Sequence, residues 1–185
     1  MRQTTLAITV LLNTLMSAAL TSANAYTILD HAEVNLRLPS DWKLVDITRN
    51  PNAIITNYAK NANNNQREES LVEVQITKQS NKDPAILIKE ISDRLKKQAT
   101  DQHCEADDAT PLPQDSDVAY HLWSQTMQCK LSQSGIIQYY LDVDPATLYL
   151  FTYTTPHYPL TSDLRDNANN MVKSASYVCY KGKDC

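Results

Sequence analysis

Glycine is scarce in this sequence: Gly135 and Gly182 are the only two among its 185 residues. Phosphate-binding loops need several glycines, because only a residue without a side chain lets the backbone approach a phosphate group closely. The sequence accordingly contains no Walker loop, no dinucleotide-binding fingerprint and no Gly-x-Ser-x-Gly nucleophile elbow. These absences exclude the nucleotide-dependent enzymes that use such loops and the serine hydrolases built on that elbow. No cofactor is expected.

Clustered positive charge and long apolar runs are missing as well. No basic run is longer than Lys96-Lys97, and the formal net charge is −4. Nucleic-acid binding depends on clustered cations that displace counterions from phosphates, so no nucleic-acid partner is expected. A membrane span needs about 18 or more apolar residues in succession. The apolar stretch near the N-terminus is shorter and is interrupted at Asn13, Thr14 and Ser17, so no membrane span is expected.

The N-terminal segment has the pattern of a cleaved signal peptide. Arg2 precedes the apolar stretch, and a small-x-small Ala-Asn-Ala sequence ends at Ala25. Signal peptidase cleaves after such a sequence, so residues 1–25 are predicted to be removed and the mature chain to begin at Tyr26. Residues 26–185 are then predicted to form one α+β domain, since about 100 to 200 residues are typical of a domain. Loss of one positive charge with the signal changes the net charge from −4 to −5.

All four cysteines lie in the predicted exported part of the chain, at Cys104, Cys129, Cys179 and Cys185. An even number of cysteines in an oxidising compartment favours disulfides over a metal site, and no Cys-x-x-Cys spacing is present. Three pairings are open in principle, and the short spacings favour Cys104 with Cys129 and Cys179 with Cys185. If the segments that carry Cys104 and Cys129 pair as antiparallel strands, their Cα atoms fall within the roughly 7 Å that a disulfide requires.

Alternation of polar and apolar residues predicts a series of short strands. The last three are joined by short turns, which predicts an antiparallel meander. The predicted strands are Glu33–Leu38, Trp42–Thr48, Ala53–Tyr58, Leu71–Thr77, Val118–Leu131, Ile136–Val143 and Thr147–Thr155.

Two amphipathic helices interrupt the strands. Asp83 is predicted to cap the first, whose apolar stripe ends at Ala99, and Ser162 is predicted to cap the second, whose stripe ends at Ala175. Strands and helices in this order, without a regular βαβ alternation, predict an α+β fold in which helices cover an antiparallel sheet.

Five segments together resemble a known family. They read "LRLPSDW", "LVEVQITK", "DPAILIKEISDRLKKQ", "TLYLFTYTTP" and "DLRDNANNMVKSASYV". In this order, over residues 33–178, the chain resembles the PsbP-like and DcrB-like proteins. The resemblance implies an α/β/α sandwich and a periplasmic, lumenal or chaperone-like binding factor, and it implies no functional residue. The chain departs from the DcrB-like lipoproteins, because "SANAY" offers no cysteine for acylation.

The densest set of candidate ligands surrounds Cys104: His103, Glu105, Asp107 and Asp108. Neighbouring residues on a strand point to opposite faces, so His103 is not expected to activate Cys104 as a nucleophile. A calcium loop needs spaced oxygen ligands and a glycine, and that spacing is absent here. We expect a disulfide at Cys104, a solvated acidic loop at Asp107 and Asp108, and no metal.

Fragments of a hydrolase are present in His121 with Ser124 and in Asp142 with Asp144. Acyl transfer requires a nucleophile within hydrogen-bond reach of its base and an oxyanion hole, and sequence spacing provides neither. We therefore predict that the chain is not an enzyme.

The last predicted strand is rich in aromatic residues. Tyr149, Phe151 and Tyr153 are two residues apart and share one face of the strand. Such a stripe is typical of core and cross-strand packing. The alternative is a candidate recognition surface, because tyrosine provides a large contact area at low entropic cost.

The leading functional hypothesis is an exported, non-enzymatic binding protein, periplasmic or extracellular, that acts through protein–protein contacts. It follows from the predicted signal peptide, the missing catalytic motifs and the family resemblance. One alternative is a periplasmic immunity protein that blocks a secreted toxin, which suits a small, acidic, disulfide-bonded domain. The other is a secreted virulence factor or small hydrolase.

Overall fold

The computed structural model describes residues 33–50, 53–60, 69–77, 83–113, 121–144 and 147–178. The predicted cleavage site between Ala25 and Tyr26 lies outside these residues, as does the predicted disulfide between Cys179 and Cys185.

The described chain consists mainly of antiparallel strands, with two helices. The helices are α1 (Pro84–Asp101) and α2 (Ser162–Lys173). The strands are β1 (Glu33–Asn35), β2 (Trp42–Asn50), β3 (Ala53–Lys60), β4 (Ser70–Thr77), β5 (Glu105–Ala106), β6 (Thr110–Pro111), β7 (His121–Cys129), β8 (Ser134–Asp144), β9 (Thr147–Thr155) and β10 (Ser176–Val178).

One large antiparallel sheet contains most of these strands, with neighbours in the order β2-β3-β4-β9-β8-β7-β5, and β6 also pairs with β7. The predicted meander is confirmed as β7, β8 and β9. The first predicted strand is shorter than expected and pairs with β10 in a separate two-stranded sheet. The structure thus has the predicted α+β fold built on an antiparallel sheet. Neither described helix is long and apolar enough to cross a membrane.

Helix α1 begins as the sequence predicts. The carboxylate of Asp83 accepts a hydrogen bond from the backbone N–H of Ala85 at 2.9 Å. Pro84 takes the first helical position, where the missing N–H is no loss. The residues that α1 buries recur at helical spacing, which explains why one face of this charged helix packs on the sheet. They are Ile88, Ile91, Ser92, Leu95 and Ala99.

Helix α2 begins one residue earlier than predicted, because its N-cap is Thr161 and not Ser162. Thr161 has an extended backbone, and its hydroxyl accepts a hydrogen bond from the N–H of Leu164 at 3.3 Å. Ser162 already has helical geometry as the first residue of α2. A Thr-Ser pair offers two capping hydroxyls, and only the one outside the helix can reach the free N–H groups of the first turn.

The two helices cover opposite faces of the large sheet. Alternate side chains of β8 show this division. Tyr139 packs in a cluster that contains Val172 of α2, whereas Tyr140 packs in a cluster that contains Ile91 of α1. We call these two sides the α2 face and the α1 face.

A buried polar network holds α1 in place on its face. The hydroxyl of Tyr140 donates to Oε1 of Gln125 at 2.6 Å. The side-chain nitrogen of Gln125 in turn donates to the carbonyl oxygen of Asp107 at 2.8 Å and to that of Ser92, in α1, at 3.3 Å. Because a buried polar group without a partner is costly, this network favours one position of α1 relative to β7 and β8.

A disulfide joins Cys104 to Cys129, with Cα atoms 4.4 Å apart, and this is the pairing that the sequence predicts. Glu105 of β5 lies opposite Gln128 of β7, so the two cysteines adjoin a short antiparallel ladder. The bond connects the segment that leaves α1 to the end of β7. It therefore anchors α1 covalently to the edge of the sheet.

Gly135, near the start of β8, lies beneath the side chain of Leu160. A Cβ atom at this position would be 2.5 Å from both Cγ and Cδ2 of Leu160, closer than any real contact. Leu160 is itself buried, and its N–H donates to the side-chain oxygen of Gln128 at 3.0 Å. The glycine thus lets the segment before α2 pack directly on the sheet.

Replacing Cys104 and Cys129 together with alanine is expected to lower the free energy of unfolding by about 2 to 5 kcal/mol, because the unfolded chain loses a covalent loop. Urea unfolding of the variant and of the unaltered protein measures the difference. Loss of Cys179 and Cys185 is the control and should cost less, since that predicted bond closes a shorter loop. Equal urea midpoints for the unaltered and Cys104/Cys129 proteins would contradict the expectation.

Substitution of Gly135 by alanine is expected to destabilise the protein by about 1 to 3 kcal/mol, because the added methyl group overlaps Leu160. Thermal or urea unfolding measures the effect. In the double variant Gly135→Ala/Leu160→Ala the methyl group has room, so the two single costs should not add. Additive costs would show that the overlap is not the cause.

Candidate binding pocket

An open pocket of about 380 Å³ lies on the α2 face. It is bounded by α2, by the segment that connects β1 to β2, by the start of β2 and the end of β3, by Glu69 before β4, and by Tyr153 of β9. This volume is within the range of small-ligand and side-chain pockets, about 300 to 1,000 Å³. The pocket therefore defines the candidate site in the described part of the chain.

One wall of the pocket is apolar. Trp42, at the start of β2, is only 8% exposed, and its ring lies 6.2 Å from that of Tyr153 at an angle of 41°. Leu164 and Met171 of α2 complete this wall. The chain reaches Trp42 through a turn in which its N–H donates to the carbonyl oxygen of Pro39 at 3.0 Å. Trp42, Tyr153 and Met171 are buried, so they form a packed apolar base to the pocket, and Leu164 is the more exposed member of the wall.

A row of three charges forms the second wall. Nζ of Lys60 lies 3.3 Å from Oε2 of Glu69 and 3.9 Å from Oδ2 of Asp41. Lys60 ends β3 and Glu69 precedes β4, and the N–H of Lys60 donates to the carbonyl oxygen of Glu69 at 3.0 Å. Pairing of β3 with β4 therefore brings the cation and the carboxylate together. The ammonium group of Lys60 thus pairs with two carboxylates, those of Asp41 and Glu69.

Three polar side chains at the rim have no partner among the residues described. The guanidinium of Arg37 forms no ion pair there, and the amides of Asn167 and Asn170 form no hydrogen bond there. The backbone of Arg37 is held, since its N–H donates to the hydroxyl of Ser174 at 3.1 Å. The rim thus presents donors and acceptors at positions fixed by α2 and its C-cap.

Burial and nearby carboxylates raise the pKa of tyrosines on this face. Burial, reinforced by the charge of Glu69 and a hydrogen bond to it, raises the pKa of Tyr153 well above its ordinary value. Burial, together with the charge of Glu73 and a hydrogen bond to it, raises the pKa of Tyr58 to about 12. Both hydroxyls therefore remain hydrogen-bond donors throughout the physiological range.

The tyrosine stripe on β9 is core and not an exposed recognition surface. Tyr149, Phe151 and Tyr153 are 1%, 0% and 1% exposed. The reason is the position of β9 between β4 and β8, which α2 covers on this face. Tyr149 and Phe151 stack with ring centres 6.4 Å apart. Tyr153 alone reaches the candidate site, as part of the pocket wall.

The acidic segment after Cys104 is exposed, as expected, but its two aspartates also have partners in the fold. Asp107 accepts a hydrogen bond from the hydroxyl of Thr126, and Asp108 pairs with Lys96 of α1. The hydrogen bond and charge of Lys96 lower the pKa of Asp108. Cys104 is committed to the disulfide. Within the described ranges, no three His, Cys, Asp or Glu side chains gather as a metal site would require.

The candidate hydrolase residues do not form a catalytic arrangement. His121 lies directly across from Asp142 in the β7–β8 ladder. Ser124 is three residues further along β7, and an odd separation on a regular strand places side chains on opposite faces. His121 therefore cannot serve Ser124 as a base. The side chain of Asp144 lies outside the described ones.

The pocket residues were not predicted from the sequence. Arg37, Trp42, Lys60 and Glu69 are brought together by strand pairing, and Asn167 joins them from a distant helix. None of them belongs to a motif with a known chemical role. The signal available was the exposed polar face of the second predicted helix, which places Asn167 and Asn170 on one side.

Comparison with known proteins adds a match of fold. No protein-family model matches the chain, and no curated protein matches it. The structure is similar to that of LpqN, described as involved in cell envelope biogenesis of Mycobacterium tuberculosis. The two are 14% identical with a TM-score of 0.52, over 80% of this chain and 84% of LpqN. At this identity the likeness shows a shared fold and assigns no role to any residue.

Tyr58 is expected to ionise near pH 12, and Glu73→Gln is expected to lower its pKa while burial keeps it above the ordinary value of about 10. NMR of a protein labelled at tyrosine Cζ, with Tyr58→Phe to assign the signal, measures both values. The folded state favours the neutral phenol. The contribution of Tyr58 to the free energy of unfolding is therefore fully present below pH 10 and is lost as the pH rises towards 12. An unchanged pKa in Glu73→Gln would contradict the assigned contact.

Proposed function

We propose that the chain is an exported, non-enzymatic binding protein that acts through protein–protein contacts, and that the pocket on the α2 face receives an anchoring side chain of the partner. The observation that carries this proposal is the combination of an apolar wall, Trp42 with Met171, and a rim of polar groups without described partners. A buried anchor surrounded by polar rim contacts is the usual anatomy of a protein interface.

Export is supported by three independent features. The N-terminal sequence has the pattern of a signal peptide that ends at Ala25. The disulfide between Cys104 and Cys129 is typical of proteins that fold in an oxidising compartment. The similar fold of LpqN occurs in a protein described as involved in envelope biogenesis. A periplasmic or extracellular location follows from the proposal.

The non-enzymatic part of the proposal rests on the arrangement of the reactive side chains. His121 and Ser124 lie on opposite faces of the sheet, and Cys104 is oxidised. The pocket contains carboxylates, Glu69 and Asp41, but both are paired with Lys60.

We also propose membership of the PsbP-like and DcrB-like group, with its three-layered sandwich. Two observations support it: the segments that resemble the group form β4, α1, β9 and α2 in the expected order, and the helices cover opposite faces of the sheet. The group's binding-factor role agrees with the proposed function.

Photo-crosslinking tests the proposed site. A benzophenone amino acid at Asn167 is expected to form a covalent adduct with one partner protein in cells, because this residue lies at the pocket rim. The same residue at Arg94, exposed on α1, is the matched control and should form none of that adduct. Adduct formation at both positions, or at neither, would count against the pocket as the contact site.

Charge reversal at the rim gives a second test. Arg37→Glu is expected to weaken binding of the cross-linked partner by about tenfold or more, since charge reversal turns a favourable rim contact into a repulsive one, and about 1.4 kcal/mol already corresponds to tenfold. Arg94→Glu makes the same change on α1 and should leave the affinity unchanged. Turnover of peptide, lipid or glycan substrates that Arg37→Glu abolishes would overturn the non-enzymatic assignment instead.

A further inference from the structure

Among the residues that the structure describes, strand β2 leaves one long edge of the large sheet uncovered. It is the first strand in the sheet order, it is nine residues long, and it pairs only with β3 in the described structure. Three large apolar side chains on it are strongly exposed, Leu44 at 53%, Val45 at 64% and Ile47 at 47%. An open edge of this kind carries a row of unpaired backbone N–H and C=O groups.

The opposite edge of the sheet has no comparable strand within the described ranges. It consists of β5 and β6, which have two residues each, and β6 ends in Pro111, which has no N–H to donate. The described sheet therefore has one edge able to extend by pairing. A molecule with one such edge associates as a closed pair and not as a fibre.

A bulge in β2 gives this edge an unusual charge pattern. The register shifts between Leu44 and Asp46, because Lys43 lies opposite Ala59 of β3 and Asp46 lies opposite Asn57. Ala59 and Asn57 are two residues apart and so share a face of the sheet. Lys43 and Asp46 consequently share that face too, although they are three positions apart, which on a regular strand would place them on opposite faces.

We propose that β2 pairs antiparallel with β2 of a second copy of this chain, in the register that places Lys43 opposite Asp46 of the second copy. The two-fold symmetry generates this opposite-charge pair twice, once on each side of the centre. Between the two pairs, Leu44 lies opposite Val45 of the second copy, and Ile47 lies opposite Trp42 further out. Leu44 and Val45 thus meet exposed apolar partners, and Ile47 lies beside the largely buried ring of Trp42.

Charge selects this register from its competitors. A register centred on Asp46 would place this carboxylate directly opposite Asp46 of the second copy. Like charges in that position are destabilising. A register that places Leu44 opposite Ile47 keeps the faces matched but forms no opposite-charge pair. This inference goes beyond the proposed function. Trp42 belongs both to the pocket wall and to β2, whereas the pocket rim at Arg37 and α2 takes no part in the pairing.

A charge-swap series on the intact, oxidised protein tests the proposal. Sedimentation velocity and light scattering over a range of protein concentrations are expected to show a monomer–dimer equilibrium. Lys43→Glu faces Asp46 of the second copy and should raise the dimer dissociation constant by about tenfold or more. The double variant Lys43→Glu/Asp46→Lys exchanges both charges and should return the dissociation constant to that of the unaltered protein.

Arg49→Glu is the matched control, because it makes a similar charge change on the same strand but lies opposite Ser40 in the proposed register. A protein that is monomeric at every concentration overturns the proposal. So does a dimer that Lys43→Glu leaves intact, or one that Arg49→Glu weakens equally.

A cross-linking measurement on the unaltered protein removes any dependence on how the variants fold. Equal amounts of ordinary and nitrogen-15-labelled protein are mixed and treated with a carbodiimide, which joins amines to carboxylates without a spacer. A Lys43–Asp46 peptide of mixed isotope content is expected from the dimer. If the dimer forms but every such peptide carries a single label, the proposed register is wrong.

Discussion

Burial of β8 and β9 on both faces is the constraint on which the rest of the structure depends. Tyr139, Tyr140, Tyr149 and Leu150 expose 1% or less of their surface. Two adjacent strands with large side chains on both sides require a layer on each face, and α1 and α2 provide these layers. The flanking strands, the disulfide and the β1–β10 pair then hold each layer in place. Both the pocket and the open edge arise at the margins of this arrangement, where the layers end.

The buried tyrosines carry hydroxyl groups that need hydrogen-bond partners, and these partners lie on or beneath the two helices. The hydroxyl of Tyr139 donates to Asn169 of α2 at 2.9 Å, and that of Tyr140 donates to Gln125 beneath α1. Each helix is therefore attached to the sheet by a directional bond as well as by apolar contact. Directional bonds distinguish one helix position from the next, which apolar contact alone does poorly. At the pocket, the same principle attaches Tyr153 to Glu69.

Several local patterns were predicted correctly from the sequence, although the cap of α2 was assigned to Ser162 and is Thr161. The cap at Asp83 and the cysteine pair at Cys104 and Cys129 depend on residues close in the chain or on one strand pairing. The tyrosine stripe could not be resolved, because its burial depends on β9 pairing with β4, whose residues are far earlier in the sequence. The bulge at Val45 was not predicted either, because the sequence of polar and apolar residues in β2 does not indicate it. The pocket depends on five separate segments and could not be assembled from any one of them.

Pairing of β1 with β10 has a consequence for the timing of folding. Glu33 lies opposite Val178, so the first described strand cannot pair until the last one is present. Leu36 and Leu38, which follow β1, pack against the α2-face core together with Ala175. Contacts between such distant parts of a chain form late, because closing a long loop is entropically unfavourable. A chain that crosses a membrane from its N-terminus would therefore keep this side of the molecule uncovered until β10 has crossed, and would need protection from aggregation during that interval.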